Sequence, residues 1–167
     1  MNDKPDIFTS VIETNKGIVY KIANSYCKDG EERKDLIQEI LLQIWKSFNK
    51  YDERYRYSTW IYRIALNVAI SFYRKQKGRK KITSPFSAEI FNIGEPQKGS
   101  ETREDTLLLQ KFIDELKELD KALMLLYLEE KSHKEIAEIL GITETNVATK
   151  IGRIKGVLKQ KFQQVTI

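Results

Sequence analysis

At 167 residues the chain has room for one medium domain or two small ones, and 41% hydrophobic with 32% charged residues suits small, heavily solvated helical units. A single cysteine, Cys27, excludes an internal disulfide and any cysteine-based zinc site. No run approaches the ~18 apolar residues of a membrane span, and the first twenty residues lack the basic-then-apolar order of a signal peptide; direct membrane insertion is not expected, and a cytoplasmic protein is. The net charge of +5 is unevenly spread. Between Glu53 and Glu89 there is no acid, while Arg54, Arg56, Arg63, Arg74, Lys75, Lys77, Arg79, Lys80 and Lys81 supply nine cations. After Glu144 the acids stop again, and Lys150, Arg153, Lys155, Lys159 and Lys161 supply five more. Two basic windows divided by an acidic block predict two nucleic-acid surfaces on one chain.

In chain order, Phe8, Val11, Ile12, Val19, Tyr20, Ile22 and Ala23 predict a helix from Ile7 to about Cys27, with a break near Gly17 and Cys27 in the core. Asp29-Gly30 marks a turn over Lys28–Glu32. The next helix has the clearest pattern. Leu36, Ile40, Ile44 and Phe48 recur every four residues, and Ile37, Leu41 and Trp45 widen the stripe by one position. Asn49 to Tyr57 is polar and aromatic, hence a loop. A further helix is predicted from Ser58, an N-cap residue, burying Trp60, Ile61, Ile64, Ala65, Val68 and Phe72.

From Gln76 to Ser100 the periodicity vanishes among glycines, prolines and serines, which predicts a flexible linker. Extended at ~3.3 Å per residue, such a segment reaches at most ~80 Å, enough for two turns of duplex at ~34 Å each. Helical patterning resumes near Glu104 with Leu107, Leu108, Phe112, Leu116 and Leu119, and again from Asp120 through Leu128. No strand-like alternation and no internal repeat appear. The fold class is therefore all-α, with two small helical domains (1–78 and 104–167) joined by a linker over 79–103.

Ser132-His133-Lys134-Glu135 has the form of a capping box. Ile136, Ala137, Ile139 and Leu140 form the inner face of a short helix, Gly141 supplies the left-handed turn, Ile142 plugs the corner, and Thr143 caps the next helix. That helix hides Val147, Ile151, Ile154 and Leu158 and presents Thr145, Asn146, Ala148, Thr149, Lys150 and Arg153. This is helix-turn-helix grammar, in which the second helix enters the major groove. Lys150, Arg153 and Lys155 are expected on phosphates, and Asn146 and Thr149 on base edges. His133, the one histidine, reads as a surface residue at a helix start.

In the N-terminal half, Tyr51, Tyr55, Tyr57, Trp60 and Tyr62 interleave with Arg54, Arg56 and Arg63. Aromatic faces stack unpaired bases at ~1–3 kcal/mol each while arginines track the backbone, so this pattern suits single strands. Trp60 itself fits the core stripe. Asn67 and Ser71 share a helical face with Arg63, Arg74 and Lys75.

Taken together, the two halves resemble the sigma-70 family of bacterial RNA polymerase initiation factors, in its small extracytoplasmic-function group. Asp35-Leu36-Ile37-Gln38-Glu39-Ile40 is similar to the helix that docks on the polymerase clamp coiled coil. Tyr57 through Asn67 is similar to the segment that melts and reads the downstream promoter element, and His133 to Lys155 to the helix-turn-helix that reads the upstream one. The likeness implies that Asp35, Gln38 and Glu39 contact core RNA polymerase. It also implies that the Asp52–Tyr57 loop, with Arg54, Tyr55, Arg56 and Tyr57, captures an extruded base, and that Arg63, Asn67, Ser71 and Arg74 follow the non-template strand. Thr145, Asn146, Thr149, Lys150, Arg153 and Lys155 would hold upstream duplex. Promoter DNA and core polymerase are the implied partners, an anti-sigma factor a further one, and no cofactor or metal is implied. Leu66, Ala148 and Gly152 depart from the basic or aromatic residues common at their positions.

Two rivals stand beside this reading. A free-standing helix-turn-helix regulator explains the C-terminal half but leaves the aromatic–arginine loop unused. A nuclease or recombinase needs clustered carboxylates for metal or a caged nucleophile, and Tyr55 between Arg54 and Arg56 is its nearest approach.

Overall fold

Asp29 starts the second helix: its Oδ1 accepts from the backbone N–H groups of Glu31 at 2.8 Å and Glu32 at 3.2 Å. These are donors a helix start otherwise leaves unpaired. The computed structural model describes residues 3–79 and 100–165. The chain divides into two units, Met1–Thr83 and Ser84–Ile167.

In the first unit, α1 (Lys4–Tyr26), α2 (Gly30–Ser47) and α3 (Tyr57–Arg79) pack pairwise, and a single 3-10 turn (Phe48–Lys50) follows α2. The break expected at Gly17 is absent. A glycine inside a helix costs ~1 kcal/mol relative to alanine, too little to interrupt a helix whose Val11, Val19, Ile22, Ala23 and Tyr26 are buried on both sides of it. The turn expected over Lys28–Glu32 is shorter, because capping by Asp29 lets α2 begin at Gly30. Cys27 is buried, as expected of a packed thiol.

α3 starts one residue before the expected Ser58: the helix begins at Tyr57, and Trp60 N–H donates to the Arg56 carbonyl, so Ser58 lies inside the helix instead of capping it. Its buried face is also rotated. Ile61, Tyr62, Ala65, Leu66 and Ala69 are the deep positions, whereas Trp60, Ile64, Val68 and Phe72 are only partly buried. Being packed by both α1 and α2, α3 buries an arc wider than one stripe. Leu66 is a core residue.

The second unit contains α4 (Ser100–Asp114), α5 (Glu118–Leu128), α6 (His133–Leu140) and α7 (Glu144–Val165). The linker expected over 79–103 falls largely outside the described residues, but its ends are helical: α3 runs to Arg79 and α4 starts at Ser100, not Glu104. Phe112 and Ile113 of α4 join Ala122, Leu123, Met124 and Leu126 of α5 in the core, while Leu107, expected inside, is exposed. Lys121 is buried with its Nζ 3.1 Å from Asp114 Oδ1, an oxygen that also accepts from Gln110 Nε2 at 3.2 Å. A buried charge is tolerable only when so paired.

The helix-turn-helix forms as its residues dictate. Ser132 Oγ accepts from Glu135 N–H at 3.1 Å, Gly141 sits at φ 70° and ψ 34°, and Thr143 Oγ1 accepts from Asn146 N–H at 3.1 Å. Val147, Ile151, Ile154 and Leu158 of α7 are all buried. Among the described residues there is no strand, no group of His, Cys, Asp or Glu that could hold a metal, and no helix long and apolar enough to cross a membrane.

Candidate nucleic-acid interface

The loop between the 3-10 turn and α3 is held from beneath by aromatic rings. Phe8 of α1 meets Trp45 edge-on at 4.9 Å and Phe48 at 5.5 Å. Phe48 lies parallel to Tyr57, Tyr57 stacks on Tyr51 at 4.1 Å, and Tyr51 meets Trp60 edge-on at 5.3 Å. The Tyr51 hydroxyl donates to the Tyr55 carbonyl, closing the loop across its base. Burial first, then the neighbouring Tyr57, Glu53 and Asp52, push the Tyr51 hydroxyl above its ordinary range. Tyr51 and Tyr57, read from sequence as surfaces for bases, thus already stack on each other and are partly buried.

The outer loop is organised by Asp52. Its Oδ1 accepts from Arg54 N–H at 3.0 Å, and the Arg54 guanidinium grips both oxygens, Oδ1 at 3.1 Å and Oδ2 at 3.0 Å and 2.7 Å. Those hydrogen bonds from Arg54 hold the carboxyl below the usual aspartate range. Arg63 reaches back from α3 to lie 5.6 Å from the Tyr55 ring centroid. Of the loop residues predicted to meet DNA, Arg56 is exposed, Arg54 is tied to Asp52, and Tyr55 is partly buried beside Arg63.

Farther along α3, Asn67, Ser71 and Arg74 are exposed, as expected. The structure also shows what sequence reasoning did not. Asn67, Ser71 and Lys75 face Asp35, Glu39 and Gln43 of α2 across one cleft of about 560 Å³, floored by Ile64, Val68 and Phe72. The expected polymerase face and the expected strand face therefore meet at a shared groove. Gln38 is exposed on α2, as are Leu42 at 45% and Trp45 at 37%. Trp45 was expected in the buried stripe. Leu42 lay outside that stripe, which was the available signal that it faces solvent.

On α7, Thr145, Asn146 and Thr149 are exposed and Lys150 partly so. Three other cations are engaged within the unit. Arg153 Nη2 lies 3.7 Å from Asp120 Oδ2, Lys155 Nζ lies 4.4 Å over the Tyr127 ring, and Lys161 Nζ lies 2.6 Å from Glu115 Oε2. Lys150 and Lys159 carry neither kind of contact among the described residues. The basic window is thus less free than its charge count implied.

The sigma-70 region 2 family model matches residues 11–79 and the sigma-70 region 4 model residues 106–157. The chain belongs to the sigma-70 family. Its relatives place it in the extracytoplasmic-function group: it is 26% identical to the ECF RNA polymerase sigma factor SigW of Bacillus subtilis, over 96% of this chain and 91% of that one. It is 30% identical to the RNA polymerase sigma factor SigZ of the same organism, over 77% and 72% respectively. Among solved structures, the fold is similar to RpoE of Bartonella quintana in complex with the anti-sigma factor NepR, with a TM-score of 0.68 at 18% identity and 93% and 96% coverage. It is likewise similar to CnrH bound to the cytosolic domain of CnrY, with a TM-score of 0.66 at 17% identity and 94% and 88% coverage. This sigma factor is a transcription initiation factor whose partners are core RNA polymerase and promoter DNA.

Proposed function

We propose that the N-terminal unit docks on core polymerase through the exposed face of α2, with Asp35, Gln38 and Glu39 as contacts, and receives melted non-template strand on the 51–57 loop and α3. In this reading Tyr55 and Arg56 meet the extruded base, and Asn67, Ser71 and Arg74 meet the strand. Arg54 and Arg63 serve from behind, one shaping the loop through Asp52 and the other backing Tyr55. The C-terminal unit grips upstream duplex, with Thr145, Asn146 and Thr149 reading bases and Lys150, Arg153 and Lys155 on phosphates.

The observation that carries this reading is that the two family matches fall on separate units, each containing a long helix poor in carboxylates. α3 has none, and α7 has none after Glu144. Strand opening then draws on binding energy, with no catalytic step assigned to the chain. Unstacking a base costs a few kcal/mol, which one or two stacking contacts of ~1–3 kcal/mol offset. The protein works in the cytoplasm, beside polymerase and DNA. An anti-sigma partner is part of the proposal, supported by the NepR-bound state of one structural neighbour.

Run-off transcription with purified core polymerase on fragmented genomic DNA tests the reading. New, defined start sites that need both components are expected. A chain that neither joins core nor redirects initiation ends it.

A further inference from the structure

Arg153 is 61% exposed, yet its guanidinium faces Asp120, a carboxylate only 18% exposed at the first turn of α5. The contact is single and 3.7 Å long, not the two parallel bonds by which arginine and carboxylate fix each other's plane. It therefore does little to orient the guanidinium. What it does is place a negative charge, fixed by burial, beside the cation expected to take a phosphate. Glu115 also pairs with Lys161, at 2.6 Å and from a more exposed position, and the Tyr127 ring engages Lys155. Acids of α5 and of the turn before it thus subtract charge from a helix whose own sequence, past Glu144, is purely cationic.

We infer that Asp120 is a specificity-determining residue for duplex recognition: it restrains the phosphate grip of Arg153, so that bases rather than backbone decide where α7 settles. The inference rests on the proposed reading of α7 as the duplex-binding helix. Phosphate contacts are sequence-independent and supply nearly all non-specific affinity, whereas Thr145, Asn146 and Thr149 bring none of that charge. An acid that competes with phosphate for one arginine lowers binding to every sequence. Its cost is least where base contacts seat the helix firmly enough to pull Arg153 away. On α7, Lys150 and Lys159 are not so engaged among the described residues.

The test uses the full chain and a labelled mixed-sequence duplex lacking any promoter, followed by fluorescence anisotropy across a salt series. Asp120→Asn is expected to bind about two- to fivefold tighter at low salt, the range of one exposed ion pair. Its plot of log affinity against log salt should be steeper by up to ~0.9, one counterion. Asp120→Glu should restore wild-type behaviour, and the gain should vanish when Arg153→Ala is added. A merely structural role for Asp120 predicts weaker binding, not tighter binding with a steeper salt slope. Unchanged or weaker binding by Asp120→Asn, while Lys150→Ala still lowers affinity, overturns the inference and leaves α7 as the duplex helix. If Lys150→Ala and Arg153→Ala both leave duplex binding untouched, the reading of α7 falls and takes the inference with it.

Discussion

The rings of Tyr51 and Tyr57 lie parallel, 4.1 Å apart at an interplanar angle of 14°, with the Tyr51 hydroxyl bonded to the Tyr55 carbonyl. The loop proposed to take a base is therefore pre-shaped, with Tyr51 as its foundation. Both tryptophans, Trp45 and Trp60, belong to this aromatic cluster, so tryptophan fluorescence reports on the first unit alone.

Tyr51→Phe removes the hydroxyl and keeps the ring. It is expected to cost the first unit about 1 kcal/mol, the usual worth of one hydrogen bond. Tyr51→Ala, which also empties the stack, should cost roughly 2–4 kcal/mol. Urea titration followed by tryptophan emission measures both. Equal stability of the alanine variant and the parent would show that the stack contributes nothing.

Asn67 is exposed, whereas Arg63 is partly buried behind Tyr55. Replacing both with alanine should impair open-complex formation more than duplex binding, and Asn67→Ala alone is the cleaner probe of strand contact. Permanganate footprinting reads the bubble. A normal bubble in the double variant would remove α3 from the melting step.

Gln38→Ala with Glu39→Ala should weaken association with core polymerase by about tenfold or more, the loss of two contact residues at a protein interface. Co-purification and competition against the parent chain measure it. Undiminished association would move the docking face elsewhere, with exposed Leu42 and Trp45 the next residues to change.

Asp52 carries a pH prediction. Its folded pKa is depressed, principally by hydrogen bonds from Arg54. The stabilisation this provides is therefore present above the ordinary aspartate range, near 3.8, and is lost as pH falls through the lower folded value. The loop should keep its shape from neutral pH down through the ordinary aspartate range and loosen only in stronger acid. In an NMR titration, Arg54→Ala should move the Asp52 midpoint upward. No movement would deny the pair its role.

Signals that act within a few residues of the chain were legible in advance. The Ser132 cap, the left-handed Gly141, the Thr143 cap and the four buried positions of α7 all follow from local chemistry and a helical period. The expected break at Gly17 failed because packing outweighs a propensity of ~1 kcal/mol. The buried face of α3 was misplaced because one-dimensional periodicity assumes a helix packed on one side, and α3 is packed by two neighbours.

By itself, then, the amino-acid order determined an all-helical chain, its helix-turn-helix and its two acid-poor basic helices, since caps, turns and amphipathic faces are short-range properties. Tertiary packing alone decided which charges remain available. Glu115 and Lys161 are 46 residues apart, and Asp120 meets Arg153 only because α5 lies against α7. In the same way α2 and α3 bring Asp35 and Glu39 to the groove that Asn67 and Ser71 line. Side chains distant in sequence meet where buried cores set helices together, and no local pattern encodes that fit.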